Sequence, residues 1–564
     1  MTSALVGVVT VALLATACTS SSNGQGPASP PTSARGPQPA QEGGFLSFAL
    51  ERQPASFNLH TRKGYDLQAQ LIMDRVWPQV FLLDSQGIPH LDTNFVKTAE
   101  LDRLTPQTVV YQIDDRATWS DGVPITADDF VYNWQAQSGD PLYTDVGGRP
   151  FDAVSIAGYS QIASVTGSNR GKTVTVVFKT PYGSWESLFN NLIPAHIART
   201  VGWNTGFDAF GPAIISGGPY LVQSDTPGQQ IVLARNPRYW GPPAHLDTIA
   251  LRSVPDQAQD APALQSGGVN VVYPATPQVG MVQQVRQIGT VASSTAIGFT
   301  FEHLDFNQRN AFLKLLPVRQ AIAKAIDRPQ LIAAGPAQIN QAIKTDNDHL
   351  YVNSQQGYSD NGGGYEQGDT AGARKLLTGA GFAEGADGYF QLAGAPLELR
   401  MSTTSDDPAR VAAEGLIADQ LKRAGIKVDL ANAPTATLLD QVLPSGNFDL
   451  ALSSSVSSAF PSDNAARYVS GGSTGSFDGY ANPKVDTLFE QANSELNAGK
   501  AGTIYNEIDQ QLWADMVSLP LYPDPTFLAH LRGYVNIADN PSASGPFWNA
   551  EQWGLVAPAT QPGS

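Results

Sequence analysis

The stretch "LELRMSTTSDDPARVAAEGLIADQLKRAGIKVDL" (Leu397–Leu430) sets the fold class. Leu397–Met401 reads as a strand. Pro408–Ala424 reads as a helix, with Val411, Leu416, Ile417 and Leu421 turned inward at helical spacing. Gly425 ends the helix, and Ile426–Leu430 is the next strand. A β-α-β order of this length implies a parallel sheet with a right-handed crossover, hence an α/β protein. Phe448–Leu452 supplies a further strand, and "SSSVSSAFPSDN" (Ser453–Asn464) follows as a loop. Ligands of open α/β sheets sit beyond the carboxyl ends of strands, so this loop is a candidate binding surface.

Working outward, "FLSFAL" from Phe45 alternates toward a strand, and "ERQPASFNLH" follows it as a loop. Val109–Ile113 and Thr173–Phe178 read as strands. Between them Thr126 caps a helix from Ala127, with Asp129 completing a capping-box-like start and Phe130, Val131 and Trp134 on its apolar face. Short strands recur at Ile231–Ala234, Ile249–Leu251 and Val269–Tyr273. Pro317 opens a helix with Val318, Ile322, Ala325 and Ile326 on one side. Helices at Pro483–Asn497 and Thr503–Met516 precede "LPLYPDP" and a Trp-rich end. The sequence shows no internal repeat.

The chain has 564 residues, enough for two or three packed units. Its formal net charge of −17 argues against nucleic acid and against electrostatic docking on anionic lipid. The single cysteine, Cys18, rules out an internal disulfide. It stands between an apolar run, Leu5–Ala17, and a tract rich in Ser, Pro and Gly. The run is short for a membrane span but suits the core of a secretory signal. Ala15-Thr16-Ala17-Cys18 resembles a bacterial lipobox, although Leu is more usual where Ala15 stands. Met1-Thr2-Ser3 carries no positive charge, which places the expected translation start upstream. Cys18 is thus the expected lipidation site. Thr19–Gly43, nearly free of large apolar residues, is the expected tether, spanning on the order of 25–30 Å.

Several motifs tempt and fail. Gly471–Gly475 matches G-x-S-x-G around Ser473, with Asp509 and His530 following in triad order, but a nucleophile elbow needs a strand before it and a helix after it. Gly-, Ser- and Pro-rich sequence surrounds this one, so a loop is expected and no catalytic residue is assigned. "GSNRGKT" (Gly167–Thr173) is one residue short of a phosphate loop and runs into a strand, so it reads as a hairpin turn. Seven histidines without metal-binding spacing, and Asp346-Asn347-Asp348 without the glycine and final glutamate of a calcium loop, predict no metal site and no cofactor. The adjacent pairs Asp114-Asp115, Asp128-Asp129 and Asp406-Asp407 read as helix starts and solvated loops.

Six stretches carry a resemblance: "RATWSDGVPITADDFVYNW" (Arg116–Trp134), "SGGPYLV" (Ser216–Val222), "ARNPRYWG" (Ala234–Gly241), "LQSGGVNVV" (Leu264–Val272), "LPVRQAIAKAIDR" (Leu316–Arg328) and "YANPKVDTLFEQA" (Tyr480–Ala492). In this order they resemble the peptide-type (oligopeptide- and dipeptide-binding) extracytoplasmic solute-binding lipoproteins of ABC importers. "IPAHI" and "RYWGPP" are similar to the actinobacterial branch, which includes a binder of a mannosylated phosphatidylinositol. The resemblance implies a two-lobed, periplasmic-binding-protein-like (type II) fold with an extra subdomain on lobe I. Mapped here, residues 1–17 are signal and 18–43 tether. Lobe I takes 44–73, 207–300 and 525–556, the extra subdomain 74–206, lobe II 301–524, and 557–564 form a flexible tail.

In that family two extended segments, one per lobe, pair with a peptide backbone. They correspond to Pro54–His60 and Ser453–Asn464. A bound peptide adds as a β-strand, so recognition tolerates varied side chains. The implied contacts are Phe57, Asn58 and His60, then Asn307, then Ser455, Val456, Ser457, Ser458, Phe460, Asp463 and Asn464. Peptide binders place an aspartate four residues before the proline of the second segment, to hold the ligand's amine. Here that position is Ser457, whose hydroxyl cannot supply the same charge-assisted bond. Asp463 stands nearby as a substitute. Otherwise the ligand lacks a free amine. The sequence thus predicts a monomeric, lipid-anchored protein on the outer face of the cell membrane that captures an oligopeptide or other small polar ligand for an ABC permease. The alternative is an envelope lipoprotein of the same fold that binds a glycolipid, glycan or protein partner without import.

Overall fold

The computed structural model describes residues 37–471 and 477–558. Cys18, the signal-like run, most of the tether, Ser473 and the last six residues lie outside them. Two α/β lobes carry separate sheets. The first holds seven strands in the order 291–294, 528–531, 271–272, 45–50, 248–253, 230–235 and 220–226. The second holds five, in the order 427–430, 398–402, 450–456, 297–306 and 518–525. A four-stranded sheet (96–104, 107–113, 173–178, 162–168) sits beside the first lobe and shares one hydrophobic core with it, from Leu46 and Phe48 to Trp119, Phe130 and Trp203. The second lobe's core, around Leu304, Ile322, Leu399, Ile417 and Leu450, is a separate cluster.

The β-α-β reading holds: Glu398–Ser402 pairs in parallel with Lys427–Leu430, and the Pro408–Arg423 helix connects them. Its buried stripe is displaced from the expected one. Ala413, Glu414, Ile417, Gln420 and Leu421 are buried, while Val411 and Leu416 are half-buried. Both polar members find partners: Gln420 accepts from the Asp327 N–H (2.9 Å), and one oxygen of Glu414 accepts from Asn432 (2.7 Å). The capping box forms, with the Thr126 N–H donating to Asp129 (2.9 Å) and Asp128 N–H donating to the Thr126 hydroxyl (3.3 Å). Gly167–Thr173 turns a hairpin through Asn169, Arg170 and Gly171, all at positive φ.

Two expectations are corrected, and one stretch to which the sequence assigned no element gains one. Ser453–Val456 is strand, because Ser453, Ser454 and Ser455 pair with His303, Glu302 and Phe301. "SLPLYPDP" (Ser518–Pro525) is also strand, on the sheet edge, where prolines cost no ladder hydrogen bond. At the end of the tether Ala40 bridges Val556, and the Gly43 N–H donates to the His245 carbonyl (2.8 Å), so packed structure begins before Gly44.

The lobes are joined where Ile297–Phe306 and Ser518–Pro525 run antiparallel, with a register shift between Ile297 and Phe301. The carboxyl ends of 398–402, 450–456 and 518–525 all point to the same edge of the second lobe, since these strands share one direction. That edge faces the first lobe.

Candidate ligand-binding cleft

Two cavities lie between the lobes, and both are lined by Asp524 and Pro525. The smaller, of about 210 Å³, brings together the two regions that the sequence singled out. From the first lobe come Leu59, Tyr65 and Gln70; Val456 comes from the second, with Phe299 and Thr300, which were expected in lobe I but lie on the Ile297–Phe306 strand of the second sheet. Tyr65 is 73% exposed and Val456 59% exposed, so the cavity presents an aromatic and an aliphatic surface, one from each lobe. The larger cavity, of about 300 Å³, runs between Thr276–Val279 of the first lobe and the amino-terminal turns of the Pro408–Arg423 helix.

Elsewhere the lobes touch directly. The Gly183 N–H donates to the Asn493 carbonyl (2.7 Å), and Ser462 donates to Ser184 (2.9 Å). At Gly183 a side chain is sterically excluded: a Cβ would lie 2.4 Å from the Glu495 carbonyl oxygen. Gly87 packs against Phe299 in the same way, 3.1 Å from a built Cβ.

The sequence-derived contacts divide sharply. Phe57 is core, and its N–H donates to the Phe207 carbonyl (2.9 Å). Asn58 is fully buried; its amide donates to the Trp203 carbonyl (2.8 Å) and its oxygen accepts from the His60 N–H (3.1 Å). His60 bonds the Asn191 carbonyl (2.9 Å) and stacks on Trp203 at 5.5 Å; burial lowers its pKa. Asn307 is buried at the opposite end of its strand from the cleft, donating to the Gly446 and Phe448 carbonyls. Ser457 is buried too, donating within reach of the Leu350 carbonyl (2.9 Å) and Gln355 (2.6 Å). Ser455 is engaged by His303 and Arg467, and Asn464 donates to the Leu350 carbonyl (3.3 Å). These groups already have protein partners, so they shape the walls rather than reach a ligand.

Val456, Ser458, Phe460 and Asp463 differ. Val456 faces the smaller cavity. Ser458 donates to Asp463 (2.6 Å) and accepts from the Phe460 N–H (3.0 Å), which fixes the turn. Asp463 is open to water, yet protein crowds it from both lobes, and that desolvation pushes its pKa up to about 6. Three tyrosines stand near enough for its charge to act on them: Tyr65, Tyr182 and Tyr505, each raised first by burial. The first two belong to the first lobe's side of the gap.

Sequence reasoning missed Tyr65, Glu302, Arg410, Tyr522 and Asp524. Arg410 clasps Glu302 through three contacts of 2.7–3.1 Å across a sequence gap of 108 residues. Burial works against the Arg410 charge, but Glu302 outweighs it and raises the pKa. The "DDPAR" helix start signals Arg410; nothing local signals its partner. The triad order also dissolves: Asp509 is buried in the second lobe against His349 (2.6 Å), whereas His530 is on a strand of the first lobe's sheet.

Residues 105–477 match the family model of the bacterial extracellular solute-binding proteins, family 5. The chain belongs to that family. The oligopeptide-binding protein OppA of Mycobacterium tuberculosis is 30% identical over 87% of this chain and 82% of its own length. The probable monoacyl phosphatidylinositol tetramannoside-binding protein LpqW, also of M. tuberculosis, is 28% identical over 64% and 59%. Among solved structures, the periplasmic EDTA-binding protein EppA superposes with a TM-score of 0.86 at 29% identity, covering 92% of this chain and 98% of that one. Family 5 proteins are binding proteins rather than enzymes; they capture small ligands outside the cytoplasm and deliver them to ABC permeases. Among the described residues no helix is long and apolar enough to cross a membrane.

Proposed function

We propose that this family 5 protein captures a peptide bearing a free amine, with Asp463 as the amine's anchor. The supporting observation is the setting of that carboxylate. It is the acidic group of the second segment, it is exposed, and its charge acts on Tyr65 and Tyr182 from the first lobe's side and on Tyr505 from the second. An ammonium there gains a charge-assisted bond. Ser457, at the family's usual aspartate position, points into the protein, so the anchor has moved along the chain by six residues. The extended Ser453–Val456 backbone beside it suits strand addition by a peptide. Oligopeptide binding in the relative OppA agrees with this reading. The gap's surplus of carboxylates disfavours an anionic glycolipid headgroup. Cys18 then ties the protein to the outer face of the membrane, beside its permease.

Native mass spectrometry after expression in peptide-rich medium tests the proposal. Peptide adducts that exchange with added free-amine tripeptides are expected. A protein that carries no peptide and releases no heat on titration with a tripeptide library overturns it.

A further inference from the structure

The larger cavity has a chemistry of its own. Three carboxylates line it, Glu302, Asp407 and Asp524, against one guanidinium, Arg410. Glu302 is occupied by Arg410. Asp407 caps the helix, accepting from the Ala409 and Arg410 N–H groups (3.0 and 3.1 Å). Asp524 accepts no hydrogen bond from any described residue. Its surroundings push its pKa well up, through burial first and then the charge of Glu302. Beside it on the same strand, Tyr522 is 6% exposed, and its hydroxyl finds no partner among the described residues either. A half-buried carboxylate and a hydroxyl on a nearly buried ring, both lining the cavity and neither held by a described residue, are free to meet a donor that enters it. The rest of the wall is aliphatic, from Leu331, Ala334, Ile339, Ala413 and Leu416. Arg410, Ala413 and Leu416 follow at three-residue spacing along one helix, so its wall of the cavity turns from polar to apolar over about 9 Å of axial rise.

We infer that this cavity is a pocket for an organic cation, a primary ammonium on an aliphatic chain such as a lysine side chain of the bound ligand. The inference rests on reading the interlobe gap as the ligand site. An ammonium has three donors. Asp524 and the Tyr522 oxygen take two, and the aliphatic stem covers the apolar wall. Neutral and acidic side chains leave Asp524 unmatched or repel it. The pocket is separate from the Asp463 anchor, so the protein reads two positive charges: the amine of the peptide and a basic side chain.

The test titrates the purified protein with tripeptides carrying Lys or norleucine at each position in turn, and with 1,5-diaminopentane alone. At one position Lys is expected to bind at least about tenfold more tightly than norleucine. Asp524→Asn should cost that Lys peptide about tenfold or more and the norleucine peptide no more than about threefold; Tyr522→Phe should cost the Lys peptide about two- to fivefold. Thermal melting verifies that both near-isosteric variants fold. Peptides that bind with equal affinity for Lys and norleucine at every position overturn the pocket and leave the peptide reading standing. If no peptide binds but the diamine does, and Asp524→Asn weakens it, the pocket stands and the peptide reading falls. Failure of the diamine and of every peptide overturns both.

Discussion

The two segments that frame the cleft looked alike in sequence, each a polar loop after a strand, and they have opposite roles. Pro54–His60 is consumed by the first lobe. Its Phe57 fills the core, Asn58 ties the backbone to Trp203, and His60 lies flat on the Trp203 ring. Ser453–Asn464 keeps part of itself in reserve, because Val456 lines the smaller cavity and Asp463 stays exposed. A polar residue in a loop is thus free for a ligand only after the backbone groups nearby have found other partners. The first lobe offers a rigid wall with Tyr65 as its exposed aromatic, and the second offers the charge.

Substitutions can break this contrast. Asn58→Ala should have the largest effect, destabilising the protein by about 2–3 kcal/mol because two buried backbone groups lose their partner. Urea unfolding measures it, and the free-amine preference of the remaining folded protein should not change. Acidification should be next. With a pKa of about 6, Asp463 is mostly ionised at pH 7 and mostly protonated at pH 5. A cation needs the ionised form, so affinity for a free-amine peptide is full above this pKa and falls about tenfold between pH 7 and 5. Calorimetry at matched folded fraction isolates this from stability. His60 and His303 withdraw stability below about pH 6.5, where the unfolded chain takes up protons that burial denies them, while carboxyls whose pKa burial raises, Asp129, Asp260 and Asp478 among them, add stability as the pH falls. Ser457→Ala should be the mildest, costing about 1 kcal/mol in stability through the loss of its bonds to Leu350 and Gln355, with peptide affinity within about twofold. A large loss of affinity there would restore Ser457 as a ligand contact.

Local rules made the architecture legible. The Pro408 helix between two apolar strands, the Thr126–Asp129 capping box and the Gly167–Thr173 hairpin each depend on neighbours within a few residues. The hinge did not show itself in this way. Ile297–Phe306 holds Glu302, His303 and Asp305, which suggests a surface, yet all three are held by groups over 100 residues away: Arg410, and Arg467, which bonds both His303 and Asp305. Ser518–Pro525 was hidden by Pro520, Pro523 and Pro525, which an edge strand tolerates. The site was half legible. The resemblance located both segments, but which of their side chains face the gap is decided by tertiary partners such as Trp203, Leu350 and Gln355. Tyr522 and Asp524 enter the cleft only because the last strand of the second lobe ends there.

The central claim is that Asp463 holds the ligand's amine across the gap. A double-mutant cycle tests it directly: one tripeptide, free or N-acetylated, titrated into the native protein and into Asp463→Asn. A coupling of about 2 kcal/mol is predicted, with the acetylated peptide indifferent to the substitution. Losses that simply add, with coupling below about 0.3 kcal/mol, contradict it.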